Sequence, residues 1–448
     1  MRDEGAPRRV VIMGAAGRDF HNFNTVYRGD RSVRVVAFTA AQIPDIAGRR
    51  YPAALAGALY PEGIPIIDEA GLAALCREEA IDTVVFAYSD VTHAHVMHQA
   101  SIALAAGADF TLLGPKHTML NAQVSVIAVC AVRTGCGKSQ VTRWLSRLLK
   151  EKGLRVAVVR HPMPYGDIQR QAVQRFETRG DLDAADCTVE EREEYEPHLA
   201  LGTVVYAGVD YRAILKRAEA DADIILWDGG NNDFPFYVPD LMITLVDPMR
   251  AGHETAYHPG ETVLRMADIV LVAKADAVDA GAIAEVSGTA RRLNPDARIV
   301  RGASPVTLDD PARVKGRRVL VIEDGPTITH GGMAYGAGYV AAMRAGAEIV
   351  DPRAAAAAAP EIAAIYAKYP HIGAVLPAVG YSDDQLDALR RTINAAKVDV
   401  VISATPCDLA GLIDVSVPIV RVRYDYAEMD EPGLGDLVEA FLERRERG

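Results

Sequence analysis

Residues 127–142 read IAVCAVRTGCGKSQVT: an apolar run, a turn carrying two glycines, then Gly-Lys-Ser and a helix-forming continuation. Few local patterns constrain a chain more. A short apolar run feeding a turn and then a helix is a buried strand with a crossover, which demands a parallel sheet with helices on its faces. The glycines let successive backbone N–H groups point inward at an anion, so the turn reads as a phosphate-binding loop. Lys138 is placed to reach the β- and γ-phosphates, and Ser139 to offer its hydroxyl to Mg²⁺. Thr134, Gly135, Cys136, Gly137 and Gln140 complete the expected nucleotide cradle, and the following helix turns its positive end to the anion.

Composition narrows the rest. A chain of 448 residues has room for two or three domains. No apolar stretch approaches the length of a membrane span, and the opening MRDEGAPRR lacks the apolar core of a signal peptide. Cytoplasm is the expected compartment, with no membrane partner. The five cysteines are scattered, with no Cys-x-x-Cys pair, so neither a disulfide framework nor a zinc site is indicated. Cys136, inside the loop, predicts sensitivity to thiol reagents. A net charge of −12 argues against a nucleic-acid partner. A small anionic substrate remains compatible, because local arginines and histidines make a positive pocket on an acidic protein.

The fold class expected is α/β: a Rossmann-like N-terminal domain over 1–122, then a P-loop NTPase domain over 123–448 with a mostly parallel sheet. RRVVIMGAAG, VRVVAFTA and IDTVVFAYSD are strands with helical patterns between them. The turn Gly14-Ala-Ala-Gly17 is not the dinucleotide fingerprint, which disfavours a nicotinamide cofactor. After GPKHTMLNAQV come further runs rich in Val, Ile and Leu, among them LRVAVVRHPM, DIILWDGG, DIVLVAKAD and RVLVIEDGP. Runs of this kind are strands buried on both faces, with ligand groups beyond their carboxyl ends.

Those ends are rich in chemistry. Asp228, closing DIILWD, stands where a second strand supplies the carboxylate associated with Mg²⁺, so Ser139 and Asp228 form the expected metal set. Lys274 and Asp276, in Ala-Lys-Ala-Asp, resemble the Asn-Lys-x-Asp base-reading motif with alanine replacing asparagine, which leaves ATP and GTP both open. Thr405 and Pro406 follow another strand, in a loop suited to a purine. The polar ends bearing Arg18, Asp19, His21, Asn22 and Asn24, then Tyr88, Ser89 and His93, then Arg160 and His161, are the expected substrate-binding groups. Fixed donors and positive charge suit a phosphorylated acid. Spacing of two between His93 and His95 argues against a helical metal site. The glycine-dense 323–339 segment reads either as a loop closing over the phosphates, with Thr329 and His330 near them, or as a structural crossover.

The phosphate loop departs from its full pattern, because Val132 replaces the first glycine. It resembles the deviant loop of a dimer-forming NTPase branch, in which a basic residue follows the first position. That resemblance implies a homodimer and gives Arg133 a catalytic contact with phosphate, in its own site or across the dimer. Taken together, MGAAGRDFHNFN, RTGCGKSQ, RHPMPYGD, WDGGNND and EDGPTITHGGM resemble the cyclic 2,3-diphosphoglycerate synthetase family from residue 8 to about 425. The resemblance implies ATP- and Mg²⁺-dependent closure of an intramolecular phosphoanhydride in 2,3-diphosphoglycerate or a related acid, releasing ADP and phosphate. Lys138, Arg133 and Asp228 are then the expected catalytic residues. A regulatory or chaperone-type GTPase of the deviant branch is the alternative.

Overall fold

The computed structural model describes residues 6–43, 46–161, 163–329, 331–378 and 383–447. Its first sheet contains β1 (Arg8–Met13), β2 (Val33–Ala40), β3 (Arg50–Tyr51), β4 (Ile64–Asp68), β5 (Thr83–Phe86) and β7 (Asp109–Leu112), in the order β3-β4-β2-β1-β5-β7. All pairs are parallel except β3 with β4. This is the parallel, Rossmann-like sheet that the alternation of strand and helix patterns predicts; its strand order is a tertiary result. Its glycine turn closes on itself. The Asp19 carboxylate accepts N–H groups from Ala16 and Phe20 at 2.7 and 2.6 Å, filling the place where a cofactor phosphate would need donors.

The second sheet runs β10 (Gln174–Phe176), β11 (Val204–Ala207), β9 (Val156–Arg160), β12 (Ile224–Asp228), β8 (Ser125–Ala131), β13 (Leu241–Val246), β15 (Ile269–Val272), β16 (Arg298–Ala303) and β23 (Ala427–Glu428). It is parallel except for its two outer strands. Its central strands are wholly buried, as their unbroken apolar runs require. The phosphate loop leaves β8 at the middle of this sheet.

Residues 306–424 do not extend that sheet. They build another, with β17 (Val306–Leu308), β22 (Ile419–Tyr424), β21 (Val400–Ser403), β18 (Arg318–Glu323) and β19 (Glu348–Ile349) in order, and β20 (Leu376–Pro377) beside β18. A buried parallel strand reads the same whichever sheet it joins, so the sequence pattern did not separate the two. A small antiparallel ribbon of β6 (Val91–Thr92) and β14 (Tyr257–His258) ties the first unit to the second. Among the described residues no helix is long and apolar enough to cross a membrane.

Candidate active site

The loop after β8 takes the shape its glycines permit. Gly135 and Gly137 adopt φ of +79° and +105°, in the left-handed region that favours glycine. A side chain at Gly137 would also run into the Gln140 amide. The helix Lys138–Glu151 starts directly after it. Lys138 Nζ donates to the Asn231 carbonyl, and Thr134 Oγ1 donates to Asn231 Oδ1 at 3.1 Å, so the loop and the 229–233 turn share one network. Burial pulls the Lys138 ammonium down, against the opposing pull of Asp228. Lys274 Nζ donates to the Gly135 carbonyl at 2.6 Å and to Asp247 at 3.0 Å, bracing the loop from outside. Cys136 lies beneath it, fully buried, and Arg250 donates to its sulfur at 3.4 Å. Burial raises that thiol, which removes the basis for the expected sensitivity to thiol reagents.

Asp228, at the end of β12, is 0 % exposed. Burial disfavours its charge, but Arg160 at 2.5 Å and His198 at 3.3 Å outweigh it and hold the carboxyl well below the usual range. Its Oδ1 has no hydrogen-bond partner. Ser139 Oγ accepts from Arg160 at 3.4 Å. A hydroxyl, a permanently charged carboxylate and an orphaned buried oxygen are a donor set that fits a hydrated Mg²⁺.

Lys138, Ser139 and Arg160 border one cavity of about 540 Å³ walled by all three large units. Of the residues singled out from sequence, Thr134, Gly135, Gly137, Lys138, Ser139, Gln140, Lys274, Asp276 and Pro406 line its nucleotide side. Arg18, Asp19, Tyr88, Ser89, Arg160 and His161 line the facing side. The His161 ring is pressed against Gly230, where any side chain would collide with it, and its Nδ1 has no partner. Burial, with Arg160 and Lys138 nearby, lowers its pKa to about 3 and keeps it neutral.

The remaining candidates lie elsewhere. Arg133 is held within its own chain: it donates to Asp90 at 2.7 Å, meets His253 Nδ1 at 2.8 Å and lies 3.6 Å from the Tyr257 ring centroid. A guanidinium so engaged is a strut under the loop, and it does not line the cavity. Asp228 and Cys136 sit below the lining. His21 stacks on Phe236 at 4.1 Å and meets the Thr118 carbonyl at 2.6 Å; burial lowers it to about 3. Asn24 donates to the Val209 carbonyl, tying the first two units together, and accepts from Tyr51; Asn22 is buried, with its Oδ1 unpartnered. His93 opens a helix, its N–H on the Ala256 carbonyl at 2.9 Å. His95 meets the Tyr88 hydroxyl at 2.6 Å. Among the described residues no trio of His, Cys, Asp or Glu has metal-holding geometry. Thr405 is buried behind Pro406, donating to Glu193. All five cysteines are free and buried.

Within the 323–339 segment, Glu323 accepts N–H groups from Gly336, Gly338 and Tyr339 at 3.0, 3.2 and 2.8 Å. This folds the glycine-rich stretch back as a wall of the cavity, with Met333, Tyr335 and Gly336 on its surface. Thr329 caps back onto the Gly325 carbonyl and faces away from the cavity lining. His330 lies outside the described residues.

Sequence reasoning passed over the carboxylates of this third wall. VEEREEYEPHL reads as a solvated acidic helix, yet Glu190, Glu191, Glu193 and Glu196 of the helix Val189–Leu199 are all buried. Glu193, Glu323 and Asp324 line the cavity with no ion pair among the described residues. A buried tyrosine and proline within that helix were the available signal.

No family model matches the chain. A curated relative, arginine synthetase ArcE of Thermococcus kodakarensis, is 56 % identical over 445 residues, covering 99 % of each chain. Among solved structures, LpxK from Aquifex aeolicus in complex with ATP aligns with 72 % of this chain and 90 % of its own, at a TM-score of 0.41 and 13 % identity. A DUF1611 family protein from Anabaena variabilis covers 66 % and 94 %, at 0.23 and 12 %.

Proposed function

The chain belongs to the family of arginine synthetase ArcE, and on that premise we propose that it is an ATP- and Mg²⁺-dependent ligase that makes arginine by aminating a ureido analogue of arginine. The observation that carries this reading is the pairing, across one cavity, of a phosphate-loop lysine with Glu193, Glu323 and Asp324, which form no ion pair among the described residues. The first suits a phosphoryl donor. The second suits a partner bearing N–H cations.

The chemistry follows from what each wall offers. The ureido oxygen attacks the γ-phosphorus, the bond to the β-phosphate oxygen breaks, and ADP leaves. The ureido carbon then carries phosphate as a good leaving group. A nitrogen lone pair attacks that carbon, the carbon–oxygen bond breaks, and inorganic phosphate and one proton depart. Lys138 neutralises charge on the transferring group. Ser139 and Asp228 would hold Mg²⁺, which would supply further charge neutralisation. His161, kept neutral by burial and with its Nδ1 unpartnered, can accept a hydrogen bond from the substrate but is not the proton acceptor; the proton leaves with phosphate.

The multiply anionic acid implied by the motif resemblance fits less well. Arg18 is spent on Asp233 at 2.6 Å, and Arg160 on Asp228 and Glu194, so neither offers net positive charge. The GTPase alternative is weakened by Ala273 and by Asp276, whose Oδ1 is already taken by the Ser304 N–H at 2.8 Å. Incubation with ATP, Mg²⁺, ammonium and the ureido amino acid should give arginine in step with ADP and phosphate, read by amino-acid chromatography and phosphorus NMR. No arginine, with a ring phosphoanhydride signal from 2,3-diphosphoglycerate, would overturn the reading.

A further inference from the structure

Glu193 is a carboxylic acid that the fold has buried without completing. It is 4 % exposed and lines the cavity from the helix Val189–Leu199. Its Oε1 accepts the Thr405 hydroxyl, which comes from the loop after β21 and fixes the side chain across the boundary between two units. Its Oε2 has no hydrogen-bond partner. Asp324, from the end of β18, faces it, and burial together with this neighbour raises the Glu193 carboxyl well above its ordinary range, so a cation seated between the two displaces the acid proton. Arg143 and Arg344 line the same cavity, yet neither forms an ion pair with Glu193, Glu323 or Asp324 among the described residues. Arg143 instead donates to the Tyr424 carbonyl at 3.5 Å.

A buried carboxylate oxygen left unpaired costs stability unless something brought to the site answers it. The missing partner is a donor. A compact metal ion is disfavoured, because the local His, Cys, Asp and Glu groups lack metal-holding geometry. An N–H cation needs only hydrogen-bond acceptors on a few sides.

We propose that Glu193, oriented by Thr405 and flanked by Asp324, seats a primary ammonium group of a co-substrate: the free ammonium ion, which gives one proton to this carboxylate before its nitrogen lone pair forms the new carbon–nitrogen bond, or the α-ammonium of the amino acid. This rests on the reading of the chain as an aminating ligase. In either case the seat lies on the same cavity as the phosphate loop, so the bound nitrogen and the phosphoryl donor share one enclosed space.

The test is calorimetry on the full chain with nucleotide bound, titrating ammonium chloride against sodium chloride, and separately the ureido amino acid. The wild-type protein should bind at least one of them through an ammonium group. Glu193→Gln should weaken that binding about tenfold or more, as loss of a charge-assisted hydrogen bond predicts, with nucleotide affinity and thermal midpoint retained. Glu193→Asp should recover part of the loss, and Thr405→Val should show a smaller one. Selective loss of ammonium binding identifies the free ion; selective loss of amino-acid binding identifies the α-ammonium. Unchanged affinity for both in Glu193→Gln overturns the seat. Ammonium binding without arginine synthesis overturns the reaction and leaves the seat standing; arginine synthesis by a Glu193→Gln protein of unaltered affinities overturns the seat alone.

Discussion

The two junctions that flank the phosphate loop treat their buried charges in opposite ways. Toward the first sheet, carboxylates are answered by guanidinium groups, Asp233 by Arg18 and Asp90 by Arg133, and within the second unit Arg160 answers Asp228 and Glu194. Toward the third sheet, Glu193, Glu323 and Asp324 have none among the described residues. A matched buried pair holds two units in one geometry, and breaking it strands a charge. An unmatched carboxyl gives up that stability and stays available to a ligand. One junction is built to hold, the other to bind.

Lys138→Ala gives the largest expected effect, since that ammonium faces both junctions. Turnover should fall at least about a thousandfold with the fold retained, measured by ADP release; full turnover would detach the phosphate loop from the chemistry. Next is Arg160→Met. Arg160 is 2 % exposed and answers two carboxylates, so its loss should cost about 3–5 kcal/mol in denaturant unfolding. Glu193→Gln should change stability by less than about 1 kcal/mol. Similar losses in the two variants would erase the contrast between answered and unanswered carboxylates.

Gly230→Ala should cost about 1–3 kcal/mol by displacing the His161 ring, and lower turnover more than nucleotide affinity. The smallest effect is a pH dependence. Burial holds the Glu323 proton up to about 7, against an ordinary 4.5. The folded chain therefore binds that proton more tightly than the unfolded chain. The resulting stability is fully present at low pH, declines as pH rises from about 4.5 to about 7, and is flat above. Asp19 and Glu191, also held up to about 7 by burial, act over the same window. Glu323→Gln should therefore reduce the slope in denaturant titrations at several pH values without abolishing it; an unchanged slope would place the titration elsewhere.

The phosphate loop was legible because its requirements are local: two glycines with positive φ, a lysine and a hydroxyl at set spacing, a strand before and a helix after. Asp228 was legible for the same reason, as the polar end of a buried strand. Lys274 was found for its spacing but braces the loop through the Gly135 carbonyl. Arg133, His21 and Asn24 have the chemistry of ligand-binding groups, but their partners come from residues some hundred or more positions away, so nothing local marked them as struts. Glu193 was missed for the converse reason. Its neighbours in sequence make it look solvated, and only the packing of the third sheet against its helix removes the water.

The sequence by itself determined the phosphate loop and the parallel α/β architecture, because backbone conformation and alternating apolar runs are short-range properties. The tertiary structure decided that residues 306–424 form their own sheet, which arginines are already neutralised, and which carboxylates are left open. Charge pairing depends on which side chains meet across the fold, and burial sets how strongly each pairing counts.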